Sequence, residues 1–426
     1  MKRSCSILQF SAQANGHFLP VPRSHIFIQL FIICCCIFPP PASAALAADG
    51  IPQTTEEIHE YAQVVMRDEI LRYCSAEYTG TSIPHLSSED LADAVKHYPA
   101  YPRRITDSAN TTITIIRPLK NIVAVNSMPL GVLDAGDCIT SVSSVVPEGA
   151  TLAPWLAEKT DVGGGQNGPD FEKILSLHPD AILTYTQFGQ GREFYEDRLP
   201  DGVPVIRLDF IRPSTLATEM KKLGYLLNRT DRSSAYVSWH DGIINEINRR
   251  LDTIPQGEKA RVFIDVWSNT FTGTGNERRT VSDSMYYSRS YCSDNGGINI
   301  AADLQNPQGT VDIEWIAQQD PEIILGSAYH GGYAAENSGD LKSQYDELSG
   351  LPALKEVQAV KNKRIYILSF RYVMGLSYPA ARAQAVQWIY PDLFADMNPD
   401  AIHQEYVDMF YNVSYDVTRN GAFHYP

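Results

Sequence analysis

Aromatic and basic side chains end or follow several of the short apolar runs in this chain. The set comprises Tyr185, Phe188, Trp267, Arg278, Arg279, Tyr329, His330, Arg371 and Tyr372. Guanidinium groups form charge-assisted hydrogen bonds with anions, and aromatic faces pack against flat or cationic groups. Open α/β sheets bind ligands beyond the carboxyl ends of their strands. If the apolar runs are strands, these residues line a cleft that binds an anionic chelate; the alternative is that they belong to solvated loops.

A glycine-rich segment formally matches a dinucleotide-binding fingerprint. Gly163, Gly165 and Gly168 have the required spacing, but the preceding residues 157–161 are polar and do not resemble a buried strand. We interpret this segment as a loop that enters a helix, and we predict no bound cofactor.

Metal-binding and enzymatic motifs are weak. The ten histidines show no HxH or HExxH spacing and no CxxC occurs, so a directly bound zinc ion is not predicted. Ferric iron bound by tyrosinates stays open because the chain has 23 tyrosines without a diagnostic spacing. No GxSxG or GxxxxGK[ST] motif is present, and we do not predict an enzyme.

Composition and the first 44 residues indicate an exported globular protein. The chain has 426 residues, 44% of them apolar, and a formal charge of −15, which does not favour binding to nucleic acid. An apolar run at residues 26–38 follows Lys2, Arg3 and Arg23 and precedes small residues. We predict a signal peptide over residues 1–44, with an uncleaved anchor as the alternative.

Cysteine and asparagine positions leave two modifications open. Beyond the signal peptide only Cys74, Cys138 and Cys292 remain, so at most one intrachain disulfide can form. Asparagines 110, 228 and 412 begin glycosylation sequons, which suit an exported surface without establishing glycosylation.

Six short apolar runs alternate with helical stretches, which predicts parallel α/β layers. The runs are IVAVNS, AILTY, VPVIRL, RVFIDV, EIILG and RIYIL. Residues 171–183 also align without a gap on residues 313–325, so that Glu172 matches Glu314. Each copy is a short helix that is stopped by proline and followed by a buried strand. The repeat predicts two α/β lobes of similar plan.

One long helix is predicted between the two lobes. Asp231 can cap it, and the helix ends before Pro255. Its apolar residues recur at three and four positions: Tyr236, Trp239, Ile243, Ile247 and Leu251. A helix of about 21 residues is roughly 30 Å long, which is enough to bridge two lobes stiffly.

A series of short motifs runs along most of the chain. They are NIVAV at 121–125, VGG at 162–164, FEKI at 171–174, PDAIL at 179–183, GINIAADL at 297–304, LPALKEV at 351–357, RIYIL at 364–368, YPDLF at 390–394 and NPDAIHQEY at 398–406. Taken in this order, the motifs resemble those of the helical-backbone periplasmic binding proteins for ferric siderophores, haem and cobalamin. The resemblance covers about residues 105–412, and the tail is similar to that of archaeal iron-complex members.

The resemblance implies an α/β fold of two pseudo-duplicated lobes joined by one bridging helix. The expected divisions are a signal peptide (1–44), an extension of unknown role (45–115), an amino-terminal lobe (116–229), the bridging helix (230–256) and a carboxy-terminal lobe (257–426). The implied function is capture of a metal chelate, a ferric siderophore first, for an ABC importer. The protein would act as a monomer, outside the cytoplasm.

The resemblance also assigns Glu172 and Glu314 to docking on the membrane subunits of the permease. On sequence alone they are ordinary acids in the first turn of a helix. Two rivals to the siderophore function stay open. The first is binding of haem, cobalamin or another metal complex, and the second is an extracellular enzyme or adhesion module on the same fold.

Overall fold

The computed structural model describes residues 50–79, 87–125, 127–143, 147–164, 168–186, 192–200, 202–266, 276–285 and 287–426. The predicted signal peptide, Gly165, Phe188 and Trp267 lie outside the described residues.

The first described segment forms two helices and a hairpin that pack on the amino-terminal lobe. Its elements are α1 (Thr55–Thr79), α2 (Ser88–His97), β1 (Arg103–Thr106) and β2 (Thr112–Ile115). The helix predicted from Thr54 to Tyr73 is confirmed and extends by a further six residues, to Thr79. The buried Arg103 side chain donates to the Tyr225 carbonyl and to Asn228 Oδ1, the latter at 2.7 Å, which fixes the hairpin to the lobe.

The amino-terminal lobe is built on a parallel five-stranded sheet in the order β5-β4-β3-β6-β7. Its strands are β3 (Ile122–Ala124), β4 (Ile139–Val142), β5 (Thr160–Asp161), β6 (Ala181–Thr184) and β7 (Val205–Arg207). Its helices are α3 (Met128–Val132), α4 (Pro147–Leu152), α5 (Phe171–Ser176), α6 (Arg192–Glu196) and α7 (Leu216–Leu226). The central strands β3 and β6 are buried throughout, which explains their continuous apolar runs.

The carboxy-terminal lobe has a second five-stranded sheet in the order β10-β8-β12-β13-β14, and only β14 is antiparallel. Its strands are β8 (Arg261–Val266), β10 (Ile298–Asn299), β12 (Ile323–Ala328), β13 (Ile365–Ser369) and β14 (His424–Tyr425). A separate antiparallel ribbon joins β9 (Glu277–Val281) to β11 (Gln308–Asp312). The helices are α9 (Ser288–Tyr291), α10 (Ile313–Gln319), α11 (Gly339–Gly350), α12 (Gln358–Lys361), α13 (Phe370–Val373), α14 (Tyr378–Ile389) and α15 (Pro399–Phe410).

The two sheets share a strand order, which confirms the duplication that the sequence repeat predicts. Strands β4-β3-β6-β7 correspond to β10-β8-β12-β13. The register agrees as well, because Val123 pairs with Ile182 in the first sheet and Phe263 pairs with Ile324 in the second. Ile182 and Ile324 are the residues that the repeat aligns.

The bridging helix α8 (Thr230–Leu251) links the last strand of the first sheet to the first strand of the second. The prediction that Asp231 caps it is wrong, because the helix starts one residue earlier and Asp231 lies in its first turn. The predicted apolar face is confirmed. Tyr236 is fully buried, and its hydroxyl donates to the Leu376 carbonyl at 2.9 Å, which joins α8 to the carboxy-terminal lobe.

Two cysteines in the described part of the chain, Cys138 and Cys292, are buried free thiols. Across the ranges given above, no helix combines the length and apolar character that a membrane span requires.

Candidate ligand cleft and docking surface

The carboxyl ends of the second sheet bring several predicted ligand residues to one edge. Ala328 is paired with Ser369, so the segments that follow β12 and β13 start side by side. Tyr329 is 53% exposed, and its ring lies edge-to-face with the exposed His330 ring at 5.7 Å between centroids. Arg371, in the short helix α13, is half-buried. Two accessible rings and one guanidinium thus share this edge of the sheet.

Arg279 is connected to the same region through Gln308, which sequence reasoning missed, and through Tyr287. Its guanidinium donates to Gln308 Oε1 across the β9-β11 ribbon, and Gln308 Nε2 donates to the Tyr287 hydroxyl at 2.7 Å. The Tyr287 ring meets Phe370 edge-to-face at 5.5 Å, beside Arg371. No motif marks Gln308 or Tyr287, since their contact depends on how the ribbon packs.

Arg278 lies inside the lobe, although it is adjacent to Arg279 in the chain. Neighbouring residues on a strand point to opposite faces. Arg278 donates to both carboxylate oxygens of the fully buried Asp265, at 2.8 and 2.7 Å, and it also contacts Glu347. Its prediction as a ligand contact stays untested, and its charge already has two acidic partners within the protein.

Tyr372 also lies inside the lobe. It is 2% exposed, and its ring packs against His403 and Phe423, with centroids 4.7 and 5.3 Å away. Burial raises the pKa of its phenol well above the usual value, so it stays neutral. A direct ligand contact by Tyr372 stays a prediction, and the structure shows packing of the aromatic core.

Tyr185 is the described member of the set in the amino-terminal lobe. It follows β6 and is half-buried. Burial raises the pKa of its phenol, and the nearby Asp209 carboxylate raises it further. Asp209 is itself 5% exposed and accepts a hydrogen bond from the Thr186 backbone at 3.0 Å. Tyr185 is thus a neutral phenol beside a buried carboxylate.

Glu172 and Glu314 occupy equivalent exposed positions on the two lobes. Each lies in the first turn of the helix that precedes the strand of its repeat copy. This helix is α5, before β6, in the amino-terminal lobe and α10, before β12, in the carboxy-terminal lobe. The matching register of the sheets makes the two helices equivalent in position within their lobes. The acids therefore form a matched pair, one on each lobe.

The glycine-rich segment leads into α5, as the loop interpretation requires. Gly163 and Gly168 both adopt positive φ angles, of 75° and 69°, that favour glycine. The preceding polar stretch contributes the two-residue edge strand β5, which the sequence did not indicate. In the described part of the chain, no three His, Cys, Asp or Glu side chains cluster closely enough to hold a metal ion.

Two duplicated α/β lobes, a stiff helix between them and a rim of aromatic and basic side chains define a two-lobe solute-binding protein. The chain belongs to the periplasmic binding protein family, whose model matches residues 122–372. Members of this family are extracytoplasmic solute-binding components of ABC transporters.

Individual relatives are distant in sequence. The molybdate-binding protein MolA of Haemophilus influenzae is 24% identical over 353 residues, which cover 74% of this chain and 92% of MolA. The TroA-like periplasmic binding protein FepB of Veillonella parvula has a similar fold, with a TM-score of 0.64 and 17% identity over 76% of this chain and 99% of FepB. Helicobacter pylori CeuE with Ni(II) bound gives a TM-score of 0.55 and 14% identity over 74% of this chain and 97% of CeuE.

Proposed function

We propose that this protein captures an anionic metal chelate between its two lobes and delivers it to the membrane subunits of an ABC importer. A ferric siderophore is the first choice of cargo, with haem, cobalamin or another metal complex as the alternative. The protein carries out no covalent chemistry in this function.

The observation that carries the transport function is the matched pair Glu172 and Glu314. Equivalent acids on two rigid lobes can orient the protein on a permease whose two halves present basic side chains. The stiff connection by α8 holds the two acids at a nearly constant separation, which favours a receptor with two fixed contact points.

The choice of cargo rests on the rim of the carboxy-terminal lobe. Exposed Tyr329 and His330 offer aromatic faces, while Arg371 and Arg279 offer guanidinium groups. Arginine forms bidentate hydrogen bonds with carboxylates and other oxyanions, and aromatic rings pack on the organic part of a chelate. The named ligand of MolA, molybdate, is a second candidate because it too is an oxyanion that arginine can bind.

A binding panel tests the cargo. The purified protein is titrated with ferric siderophores, haem, cobalamin, nickel and molybdate while its tryptophan fluorescence is recorded, to which Trp155 and Trp315 of the two lobes contribute. We expect saturable binding of a ferric siderophore at micromolar strength or tighter. Saturable binding of molybdate alone would mean that the transported ligand is an oxyanion and not a metal chelate. Absence of binding to every member of the panel would favour the enzyme or adhesion alternative.

Arg371→Ala tests whether the rim binds the ligand. Losing a charge-assisted hydrogen bond costs about 1.5–3 kcal/mol, so affinity should fall roughly tenfold to more than a hundredfold. Arg419→Ala is the matched control, because Arg419 is an 83% exposed arginine of the same lobe in the carboxy-terminal tail. Equal affinity of the two variants would remove Arg371 from the site.

Glu172→Ala combined with Glu314→Ala tests the docking surface. We expect ligand affinity to be unchanged and ligand-stimulated ATPase activity of the reconstituted transporter to be lost. The control removes two other exposed acids, Glu258 and Glu405, by the same substitution. Normal stimulation by the Glu172 and Glu314 double variant would disprove the docking role while leaving ligand capture intact.

A further inference from the structure

A polar pocket of about 410 Å³ lies against the carboxy-terminal half of the bridging helix α8. One wall comes from α8 and another from α14. The remaining walls come from Pro213, Ser214, Asp252, Lys259 and residues 289–296. None of the described residues predicted to contact the transported ligand lines this pocket. It is therefore a separate feature from the rim at the carboxyl ends of the strands.

Arg382 lines the pocket as a buried cation without an acidic partner. It is 5% exposed, and its guanidinium donates to Asn248 Oδ1 at 2.6 Å and to the Asp294 carbonyl. Both acceptors are neutral, its Nε atom has no partner, and in the described part of the chain no carboxylate lies within ion-pair distance. A buried charge without a counter-ion is costly, which makes this guanidinium a strong site for an anion.

Two more unsatisfied polar atoms belong to residues that line the same pocket. The His240 side chain is 7% exposed, and its Nδ1 atom donates to Asp241 at 2.8 Å. Its Nε2 atom has no partner among the described residues, and neither has Ser293 Oγ. All three atoms have almost no accessible surface, so none of them contacts an occupant of the pocket, and the case for a ligand rests on the charge of the guanidinium.

The remaining charges of the pocket favour an anion over a cation. Lys259 and Arg289 add two positive charges to that of Arg382, against the carboxylates of Asp252 and Asp294. Asp294 is paired with Arg289 at 3.1 Å, so it does not compensate Arg382. Water in the pocket carries no charge to balance the guanidinium.

We propose that this pocket binds the oxyanion group of a small organic anion, with Arg382 as the counter-ion. The guanidinium of Arg382 and the ammonium of Lys259 donate to the oxyanion. The volume exceeds what a single oxyanion needs, which suits a polycarboxylate or a phosphate ester. This site is additional to the transport cleft and does not depend on the cargo.

The test measures anion binding to the full protein in the absence of any transport ligand. Sodium citrate and sodium phosphate are titrated at constant ionic strength, balanced with sodium chloride, and binding is followed by calorimetry and by the melting temperature. We expect one saturable site per chain and a melting temperature that rises with the logarithm of anion concentration.

Arg382→Gln should weaken this binding by about tenfold or more, because it removes the charged hydrogen-bond donor. Arg207→Gln is the matched control, since Arg207 is also buried but already forms a bidentate pair with Glu196 at 2.7 and 2.8 Å. The control should keep the affinity of the unaltered protein.

Lys259→Gln provides a second, milder variant, which tests the proposal if Arg382→Gln does not fold. Loss of one hydrogen bond should weaken binding roughly threefold to tenfold. The proposal is overturned if neither anion binds saturably. It is also overturned if the folded pocket variants bind as tightly as the control, because the effect would then be general screening.

Discussion

The two lobes share their strand order, but they differ at the carboxyl end of the equivalent strands β3 and β8. The strand pairing makes Val123 of the first lobe equivalent to Phe263 of the second. Two residues further on, Val125, just after β3, is therefore equivalent to Asp265 of β8. Val125 is a half-buried apolar residue, whereas Asp265 is fully buried and paired with Arg278. The lobes also differ at their edges, where β5 extends the first sheet and β14 extends the second at the opposite side.

The difference separates two kinds of function. The features common to both lobes are the helix before β6 or β12 and its first-turn glutamate, and these are the ones proposed to dock on the permease. The features found in one lobe lie at the strand ends, where ligands are recognised. A duplicated receptor can therefore keep a symmetric docking surface while its cleft becomes asymmetric and specific.

The largest expected effect comes from breaking the buried ion pair of the second lobe. Asp265→Asn leaves Arg278 without its main partner, and removal of one member of a buried pair costs about 3–5 kcal/mol. The free energy of unfolding, measured by chemical denaturation, should fall by that amount. Val125→Asn in the first lobe should lower the free energy of unfolding by less, because Val125 is only half-buried and its replacement leaves no charged partner unpaired.

The same network can be replaced by apolar residues, as in the first lobe. Gln344 donates to Asp265 at 2.8 Å, so it must change together with the pair. The triple variant Asp265→Val, Arg278→Met, Gln344→Leu should recover most of the lost stability, because apolar replacement of a buried pair is often neutral. A triple variant as unstable as Asp265→Asn would show that the ion pair itself stabilises the lobe.

A smaller effect should arise from His403, which belongs to the carboxy-terminal tail without counterpart in the first lobe. Burial lowers its pKa to about 3, against an opposing contribution from Asp400. Nε2 lies 2.6 Å from the Tyr333 hydroxyl. The unfolded chain takes up a proton near pH 6.5, whereas the folded protein does so only near 3. Stability is therefore lost as pH falls between these values.

The expected slope is about 1.4 kcal/mol per pH unit over the range where only the unfolded state is protonated. His403→Gln should reduce the pH dependence of the free energy of unfolding by that amount between pH 6 and 4, limits set roughly by these pKa values. His97→Gln is the control, because His97 is exposed and pairs with Asp93. Parallel pH profiles for His403→Gln and the unaltered protein would contradict the prediction.

The fold could be predicted from the sequence where periodicity and repetition are strong. The six apolar runs are all strands, and the aligned repeat places equivalent helices and strands in both lobes. Strand β4 was missed because its four residues, Ile139 to Val142, include two polar side chains and no flanking motif. β14 was missed because its two residues are added to the sheet by tail packing that is distant in sequence.

The candidate site was less predictable because side-chain direction depends on tertiary packing. Arg278 and Arg279 are indistinguishable as a sequence pair, yet one faces Asp265 and the other faces Gln308. Tyr372 and Arg371 likewise differ, since the first is buried and the second only half-buried. The local sequence shows that a residue follows a strand, but it does not show whether the side chain faces the interior of the lobe or its surface.

The smallest expected effect concerns the caps of α5 and α10, the two helices that carry the proposed docking acids. Asp170 precedes α5 and accepts a hydrogen bond from the Lys173 backbone at 3.0 Å, whereas Asp312 makes no such bond at the start of α10. Asp170→Ala should lower the free energy of unfolding by about 1 kcal/mol, and Asp312→Ala by less than about 0.5 kcal/mol. Chemical denaturation of both variants measures the difference. Equal losses would mean that the two helix starts are stabilised alike, and the two lobes would then be more similar at the docking surface than the hydrogen bonds indicate.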